Sequence, residues 1–243
     1  MVPQLHALPV LLTRPAAQAA RFAQELAARF GKRLRPVISP LMAPRYLAPD
    51  WPEAAYSTLI LTSETGAEAA ARLRAQGRVL PDRAVCVGDR TAHAAQEAGF
   101  SASSAQGDAE ALLTHILSSG DPGPFLHLRG RDARGDIAPR LAAQGRPAHA
   151  AIVYEQEALP LTDDAVQVLG GRDPVVVPLF SPRSVALLAE RGPFNAPLLV
   201  AAISPAAAAR ADALRPLRLV TAGRPDGAAM LDAVESLISD PAS

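Results

Sequence analysis

The chain has 243 residues, of which 49% are hydrophobic and 4% aromatic, and its 24 basic side chains balance 24 acidic ones. This length fits one large domain or two small ones, and the apolar share is enough for a folded core. Zero net charge and so few aromatic rings argue against a basic nucleic-acid surface or a stacking platform, so we expect no nucleic-acid partner.

Short apolar runs alternate with alanine-rich helical segments along the whole chain. The predicted strands cover residues 10–13, 34–38, 58–62, 84–87, 125–129, 148–153, 175–180, 198–203 and 217–221. The predicted helices cover residues 16–30, 66–76, 91–98, 109–117, 137–144, 183–191, 206–214 and 227–238. This alternation predicts an α/β fold with parallel sheets, and the unbroken apolar strands suit sheets covered by helices on both faces.

Two segments are predicted to connect separate lobes. Residues 41–52 hold three prolines, and residues 152–160 read IVYEQEALP. If the chain leaves one lobe at the first segment and returns at the second, the outer lobe takes residues 1–42 and 158–243. The inner lobe then takes residues 43–152, the linkers fall at about 41–52 and 152–160, and we expect a cleft between the lobes.

Three motifs occur twice, 115 to 118 residues apart. VLLTR, which ends at Arg14, resembles FLHLR, which ends at Arg129. The stretch around Ser63 resembles that around Ser181, and the stretch around Gly88 resembles that around Ser204. The nearly constant spacing indicates a duplicated unit.

The chain carries none of the common signatures of a cofactor or metal site. It has no dinucleotide or phosphate-loop motif, no nucleophile elbow, and no histidine spacing suited to a metal. The pair Asp163-Asp164 is assigned to a turn, so the acidic pocket of a receiver domain is not expected. A lone Cys86, an N-terminal segment unlike a signal peptide and the lack of a long apolar run predict a cytoplasmic protein without a membrane partner.

Small hydroxyl residues and glycines follow several predicted strands where a helix begins. These junction residues are Thr62, Ser63, Gly88, Thr91, Ser181 and Ser204. Each hydroxyl could simply cap its helix. Alternatively, the junctions could bind a carboxylate or phosphate, because the ends of parallel strands and the free amides of helix N-termini collect anionic ligands.

Three further residues are candidates for the same site. Arg14 and Arg129 follow strands at matching repeat positions, where they could pair with carboxylates or form surface salt bridges. Tyr154 lies in the second connector, where it could be a buried spacer or present its phenol as a hydrogen-bond donor and weak acid.

The ordered series LLTRP, LTS, VGDRTAHAAQEAG, LHLRG, VY and FSP resembles bacterial uroporphyrinogen-III synthases along nearly the whole chain. The resemblance implies two flavodoxin-like lobes, each a parallel sheet flanked by helices, joined by a two-stranded linker with the substrate in the cleft. It implies a cyclising hydro-lyase that converts hydroxymethylbilane, a linear tetrapyrrole polycarboxylate, to uroporphyrinogen III with loss of water and inversion of the last pyrrole ring. No cofactor or metal is expected.

The resemblance also implies roles for individual residues. Tyr154 matches the tyrosine that would assist departure of the hydroxyl group. Thr62, Ser63, Thr91 and Ser181 match hydroxyls that line the cleft. We expect substrate contacts from the remaining candidates as well, namely Arg14, Gly88, Arg129, Gly130 and Ser204. One junction departs from the family, because Ser204 and Ala207 stand where a glycine and a threonine are usual.

The rival hypothesis is a two-lobed cytoplasmic protein that binds an anion or metabolite, or regulates another process, without catalysis. The same connectors and junctions would serve it. A DNA-linked regulator is disfavoured by the neutral charge and by the lack of an added helix-turn-helix segment. In either case we expect a monomer.

Overall fold

The computed structural model describes residues 7–133 and 135–239. Residues 1–6 and 240–243, the two ends of the predicted outer lobe, lie outside the described residues. The strands are β1 (Leu8–Leu12), β2 (Leu34–Ile38), β3 (Met42–Tyr46), β4 (Thr58–Leu61), β5 (Arg83–Cys86), β6 (Ser101–Ser104), β7 (Phe125–Gly130), β8 (Ala148–Ala158), β9 (Val175–Leu179), β10 (Leu198–Ala202) and β11 (Arg218–Thr221). The helices are α1 (Ala16–Phe30), α2 (Glu64–Ala75), α3 (Asp89–Glu97), α4 (Ala109–Ser118), α5 (Ile137–Ala143), α6 (Asp163–Gly170), α7 (Pro182–Ala189), α8 (Pro205–Ala211) and α9 (Gly227–Ser239).

The chain divides into two compact units. The terminal unit takes the described residues up to Ala43 and from Ala158 onward, and the central unit is Pro44–Glu157. The predicted lobe boundaries lie close to this division, and their status as boundaries of independent domains stays a prediction.

Each unit has its own sheet. In the terminal unit the order is β2-β1-β9-β10-β11, and in the central unit it is β3-β8-β7-β4-β5-β6. The pairs from β2 to β11 and from β8 to β6 are parallel. Helices flank both sheets, so the predicted α/β class with two parallel sheets is confirmed.

The two strand orders are the same when they are compared by position. β8-β7-β4-β5-β6 matches β2-β1-β9-β10-β11, so β7 takes the place of β1, β4 that of β9, and β5 that of β10. These are the strand pairs that carry the three repeated motifs. Both sheets therefore have the flavodoxin-like arrangement. In the central unit, β4 is the first of the five matched strands along the chain, and it takes the third position in the sheet.

The parallel register makes the central strands end at the same level. In the central unit Leu61 of β4 lies opposite Cys86 of β5 and Leu128 of β7. In the terminal unit Ala202 of β10 lies opposite Leu179 of β9. Residues that follow these strands therefore share one edge of each sheet, which we call its carboxyl edge.

Side chains of the central sheet alternate between two apolar layers. Leu59 and Leu61 face the layer that contains α2 and α3, whereas Ile60 faces the layer that contains α4 and α5. All three side chains are fully buried. This double burial explains why β4 is apolar at every position and not only at alternate ones. The terminal unit has one large core cluster built from β1, β2, β9 and β10 and from the helices packed on them, and Leu219 and Val220 of β11 are partly buried against it.

Each predicted strand and helix is present, and three short elements were not predicted. β3 contains Pro44 and lies at the edge of its sheet, where a missing amide hydrogen is tolerated. β6 is another edge strand, and its sequence SASS has no apolar pattern. The assignment of Asp163-Asp164 to a turn was wrong: both residues lie in the first turn of α6, which Thr162 caps, and carboxylates are favourable at a helix N-terminus.

A histidine of β7 lies within the central core. His127 of β7 is 1% exposed. Burial, followed by the positive charge of Arg129, lowers the pKa of His127 from its ordinary value of 6.5 to about 4. The folded chain therefore holds this ring neutral over a pH range in which the unfolded chain protonates it.

We predict that acidification from pH 6.5 toward 4 destabilises the protein through His127, because protons bind the unfolded chain first. At about 1.4 kcal/mol per pKa unit, the free energy of unfolding falls by up to about 3 kcal/mol. Urea unfolding across this pH range, compared with His127→Gln, measures the contribution. The exposed His93→Gln is the matched control. Equal pH dependence of wild type and His127→Gln would contradict the prediction.

Candidate active site

Seven of the predicted site residues share the carboxyl edge of the central sheet. Thr62 and Ser63 follow β4, Gly88 and Thr91 follow β5, and Arg129 and Gly130 end β7. Tyr154 lies in β8 opposite Gly130, after a register shift at Arg129/Gly130. β4 and β7 are neighbours in space although β5 and β6 separate them in the chain. This reversal of strand order is the switch point at which parallel sheets bind ligands.

The Tyr154 ring lies directly against the backbone of Gly130. A Cβ atom added to Gly130 would stand 2.6 Å from Tyr154 Cζ, 2.7 Å from Cε2 and 2.8 Å from the phenol oxygen. The amide of Arg131 donates to the carbonyl of Tyr154 at 3.0 Å. A glycine is therefore required at position 130 because no side chain fits between this backbone and the ring.

Ser63 joins the tyrosine to the start of α2. Its Oγ accepts a hydrogen bond from the Gly66 amide at 3.0 Å and lies 2.9 Å from the Tyr154 phenol oxygen. Ser63 is thus the N-cap of α2, which was one of the two alternatives for the junction hydroxyls. It also contacts Tyr154, the candidate catalytic residue. A role in substrate binding stays a prediction.

Arg129 turns toward its own loop. Its guanidinium donates to the carbonyl oxygens of Gly130, Arg131 and Ala133 at 3.1, 3.3 and 2.8 Å. The described contacts of its side chain are therefore neither a salt bridge nor a carboxylate pair. They hold the loop that follows β7, which carries Gly130 against Tyr154.

An ion-pair network that the sequence did not reveal lies beside this loop. Glu155 accepts hydrogen bonds from Arg45 of β3 and from Arg131, the latter at 2.6 Å. Both hydrogen bonds lower the pKa of the Glu155 carboxyl, and the bond from Arg131 has the larger effect. The three residues are distant in the chain, and only the pairing of β3 with β8 and of β8 with β7 brings them together.

Thr62, Gly88 and Thr91 occupy the neighbouring part of the edge. The Thr62 hydroxyl lies 3.5 Å from Nε2 of the buried His127. Gly88 is the N-cap of α3 and has open space where a Cβ would stand. Thr91 is 6% exposed on the inner side of the first turn of α3, so its side chain is largely enclosed.

The carboxyl edge of the terminal sheet carries the remaining candidates. The guanidinium of Arg14 donates to Gln18 and stacks over the Phe180 ring, with 4.1 Å from Cζ to the centroid. Ser181 caps α7 by accepting from the Ser184 amide at 3.0 Å, and its Oγ lies 2.9 Å from the Ser184 hydroxyl. Arg14 and Ser181 follow β1 and β9, the adjacent strands at the switch point of this sheet.

Ser204 caps α8, with its Oγ accepting from the Ala207 amide at 3.3 Å. Ala207, in the first turn of the same helix, is fully buried. The capping role of Ser204 is therefore met in this structure, and a substrate contact from it stays a prediction.

One cavity of the terminal unit lies away from its carboxyl edge. A cavity of about 450 Å³ lined by Pro9, Arg35 and Asp164 lies at the amino ends of β1 and β2, on the opposite side of the terminal sheet. Among residues 7–133 and 135–239, no group of three or more histidine, cysteine or carboxylate residues could hold a metal ion. In the same residues, every helix is too short or too polar to span a membrane.

A family model described as Uroporphyrinogen-III synthase HemD matches residues 21–232. No curated protein matches the chain.

Solved structures give a likeness of fold. Uroporphyrinogen-III synthetase from Helicobacter pylori is similar with a TM-score of 0.64 at 17% identity, over 95% of this chain and 99% of that one. A mutant uroporphyrinogen III synthase from Thermus thermophilus covers 96% of this chain and 99% of its own at 18% identity, with a TM-score of 0.46. We base the structural likeness on the first of these alone, and it concerns the fold.

We predict that Gly130→Ala destabilises the protein by about 1–3 kcal/mol, because its methyl group would overlap the Tyr154 ring. Urea unfolding measures the loss. In a Tyr154→Ala background the same substitution should cost much less, since the overlapping ring is gone. Gly170→Ala is the matched control, because a Cβ there meets open space. An equal cost of Gly130→Ala in both backgrounds would show that the ring is not the obstacle.

Proposed function

The chain belongs to the uroporphyrinogen-III synthase family, and from this premise we propose that it cyclises hydroxymethylbilane to uroporphyrinogen III in tetrapyrrole biosynthesis. The protein is a lyase, and the reaction we propose for it is a hydro-lyase reaction, in which water is lost and the terminal pyrrole ring is inverted. The observation that carries the proposal is the family match over residues 21–232. It supports this reading and not the rival of a non-catalytic binding protein.

The local chemistry of the central carboxyl edge suits this reaction. The substrate ionises by losing its hydroxyl group, so the protein has to supply a proton to the leaving oxygen and hold the chain for ring closure. Tyr154 has an O–H group to donate, and it is held by Ser63 on one side and by Gly130 on the other. We assign Tyr154 as the acid that assists departure of the hydroxyl.

The proton and electron balance is simple. The bond between the methylene carbon and oxygen breaks with its electron pair going to oxygen, which takes the Tyr154 proton and leaves as water. The resulting azafulvene cation is attacked first by the substituted α-carbon of the terminal pyrrole, which has no proton to lose. The bond from that carbon to its original methylene bridge then breaks, which inverts the ring and leaves a second azafulvene cation at the bridge. The free α-carbon of the inverted ring attacks this cation, and the proton that it loses returns the phenolate to a phenol. No nucleophile from the protein is consumed, so the greater part of the catalysis is positioning of the linear tetrapyrrole.

A neutral protein can bind a polycarboxylate through local groups. We propose that the carboxyl edge of each unit binds substrate carboxylates, through the first-turn amides of its helices and the junction hydroxyls. The candidates are Arg14, Thr62, Gly88, Thr91, Arg129, Gly130, Ser181 and Ser204, and Ser63 takes part through its contact with Tyr154. Since Arg129 is engaged with backbone carbonyls, its contribution would come through the loop it holds. We further propose that the protein acts as a monomer in the cytoplasm.

We predict that the purified protein converts freshly prepared hydroxymethylbilane mainly to the type III isomer. The products, oxidised to porphyrins and separated by chromatography, give the isomer ratio. A reaction without protein is the control, because the bilane closes spontaneously to the uninverted isomer I. Formation of isomer I alone in the presence of the protein would overturn the proposed function, and tight binding of the bilane without turnover would favour the rival.

We predict that Tyr154→Phe lowers kcat by about 10- to 100-fold, since the variant keeps the ring but loses the acid. Initial rates of type III formation at saturating substrate measure the effect. Phe at this position keeps the packing on Gly130, so circular dichroism and the urea midpoint should show a folded protein. An unchanged kcat would remove Tyr154 from the mechanism and leave the family assignment in place.

A further inference from the structure

The hydroxyl of Ser63 has two neighbours, and together they limit how it can act. Its Oγ already accepts the Gly66 amide at 3.0 Å, and the Tyr154 phenol oxygen lies 2.9 Å away. We propose that Ser63 is a positioning residue that donates its proton to the Tyr154 oxygen, so that the phenol proton points to the departing hydroxyl. This inference rests on the proposed function and names a second residue that serves the same step.

The direction of the hydrogen bond follows from what each hydroxyl can supply. A serine or tyrosine hydroxyl has a single proton. If Tyr154 gave its proton to Ser63, that proton would be directed away from the substrate and Tyr154 could not act as the acid. If Tyr154 is the acid, Ser63 must therefore donate the hydrogen bond between the two hydroxyls. The Ser63 oxygen still accepts the hydrogen bond from the Gly66 amide.

The same contact supports the charge that develops on the tyrosine. As the phenol gives up its proton, negative charge builds on its oxygen. A hydrogen bond donated to that oxygen stabilises the charge, and the N-terminus of α2 places partial positive charge beside it. Once the phenolate has formed, the bond from Ser63 is charge-assisted and stronger than in the resting state.

Two glycines explain why the geometry is so close. Gly130 lets the ring lie against the β7 backbone, as described above. A Cβ on Gly66 would stand 3.3 Å from both Ser63 Oγ and the carbonyl oxygen of Leu128, so a side chain there would crowd the cap. Gly66 is buried in the first turn of α2. The phenol is thus held between β7 and the start of α2, and Ser63 and Tyr154 meet although they are 91 positions apart in the chain.

A double-mutant cycle tests this role. We predict that Ser63→Ala lowers kcat by about 10-fold and changes KM by less than about twofold, because the loss falls on the acid and not on substrate binding. In a Tyr154→Phe background, where no phenol remains, Ser63→Ala should lower kcat by less than about twofold. Ser63→Thr keeps a hydroxyl and a cap, and it should retain most of the activity.

Other outcomes would overturn the proposal. Losses that multiply in the double variant, or a raised KM with kcat unchanged, would mean that Ser63 contacts the substrate independently of Tyr154. The matched control is Asp108→Ala, which removes the N-cap of α4 in the same unit, where Asp108 accepts from two amides. It should lower the urea midpoint as Ser63→Ala does, with kcat unchanged. If Ser63→Ala and Asp108→Ala both lower the urea midpoint and both leave kcat unchanged, Ser63 acts only as a helix cap.

The same four proteins separate this proposal from the proposed function. If wild type gives only isomer I, the function and the proton-transfer role fall together. Urea midpoints of the cycle need no turnover, and they should be non-additive if the two hydroxyls are bonded. Additive midpoints would overturn the Ser63–Tyr154 contact even in a protein that makes the type III isomer.

Discussion

Parallel pairing in register decides where polar groups can lie in this protein. Leu61 lies opposite both Cys86 and Leu128, so three neighbouring strands of the central sheet end at one level. Because these strands are covered on both faces, hydrogen-bonding side chains are confined almost entirely to the residues that follow them. Thr58 and His127 are exceptions within these strands, and burial lowers the pKa of His127 so that its ring stays neutral below pH 6.5. The terminal sheet repeats the same order of strands.

The tyrosine reaches this edge through a local irregularity. At Arg129/Gly130 the register of β7 against β8 shifts, and Tyr154 comes to lie opposite Gly130. Arg129 holds the loop after β7 by donating to its carbonyls, and Ser63 joins the phenol to the start of α2. An acid held in this way needs no charged partner. This fits a chain of zero net charge whose family acts on a tetrapyrrole.

The sequence predicted those features that depend on the residues of one short segment. Apolar runs predicted the strands, and serine before a helical segment predicted the caps at Ser63, Ser181 and Ser204. Local pattern failed at the edges of the sheet, since β3 contains Pro44 and β6 is polar, and at Asp163-Asp164, where carboxylates begin a helix. The contact of Ser63 with Tyr154 and the network around Glu155 depend on pairing of distant strands, which no single segment encodes.

The central claim is that the carboxyl edge around Tyr154 binds the reacting end of the tetrapyrrole. A crystal structure of the protein with bound uroporphyrinogen III measures this directly, through the distance from the Tyr154 oxygen to the nearest product atom. We expect a separation close to hydrogen-bond or van der Waals contact, with product carboxylates near the junction hydroxyls. A product bound at the amino ends of the strands, or more than about 8 Å from Tyr154, beyond the reach of a side chain and one water, would contradict it.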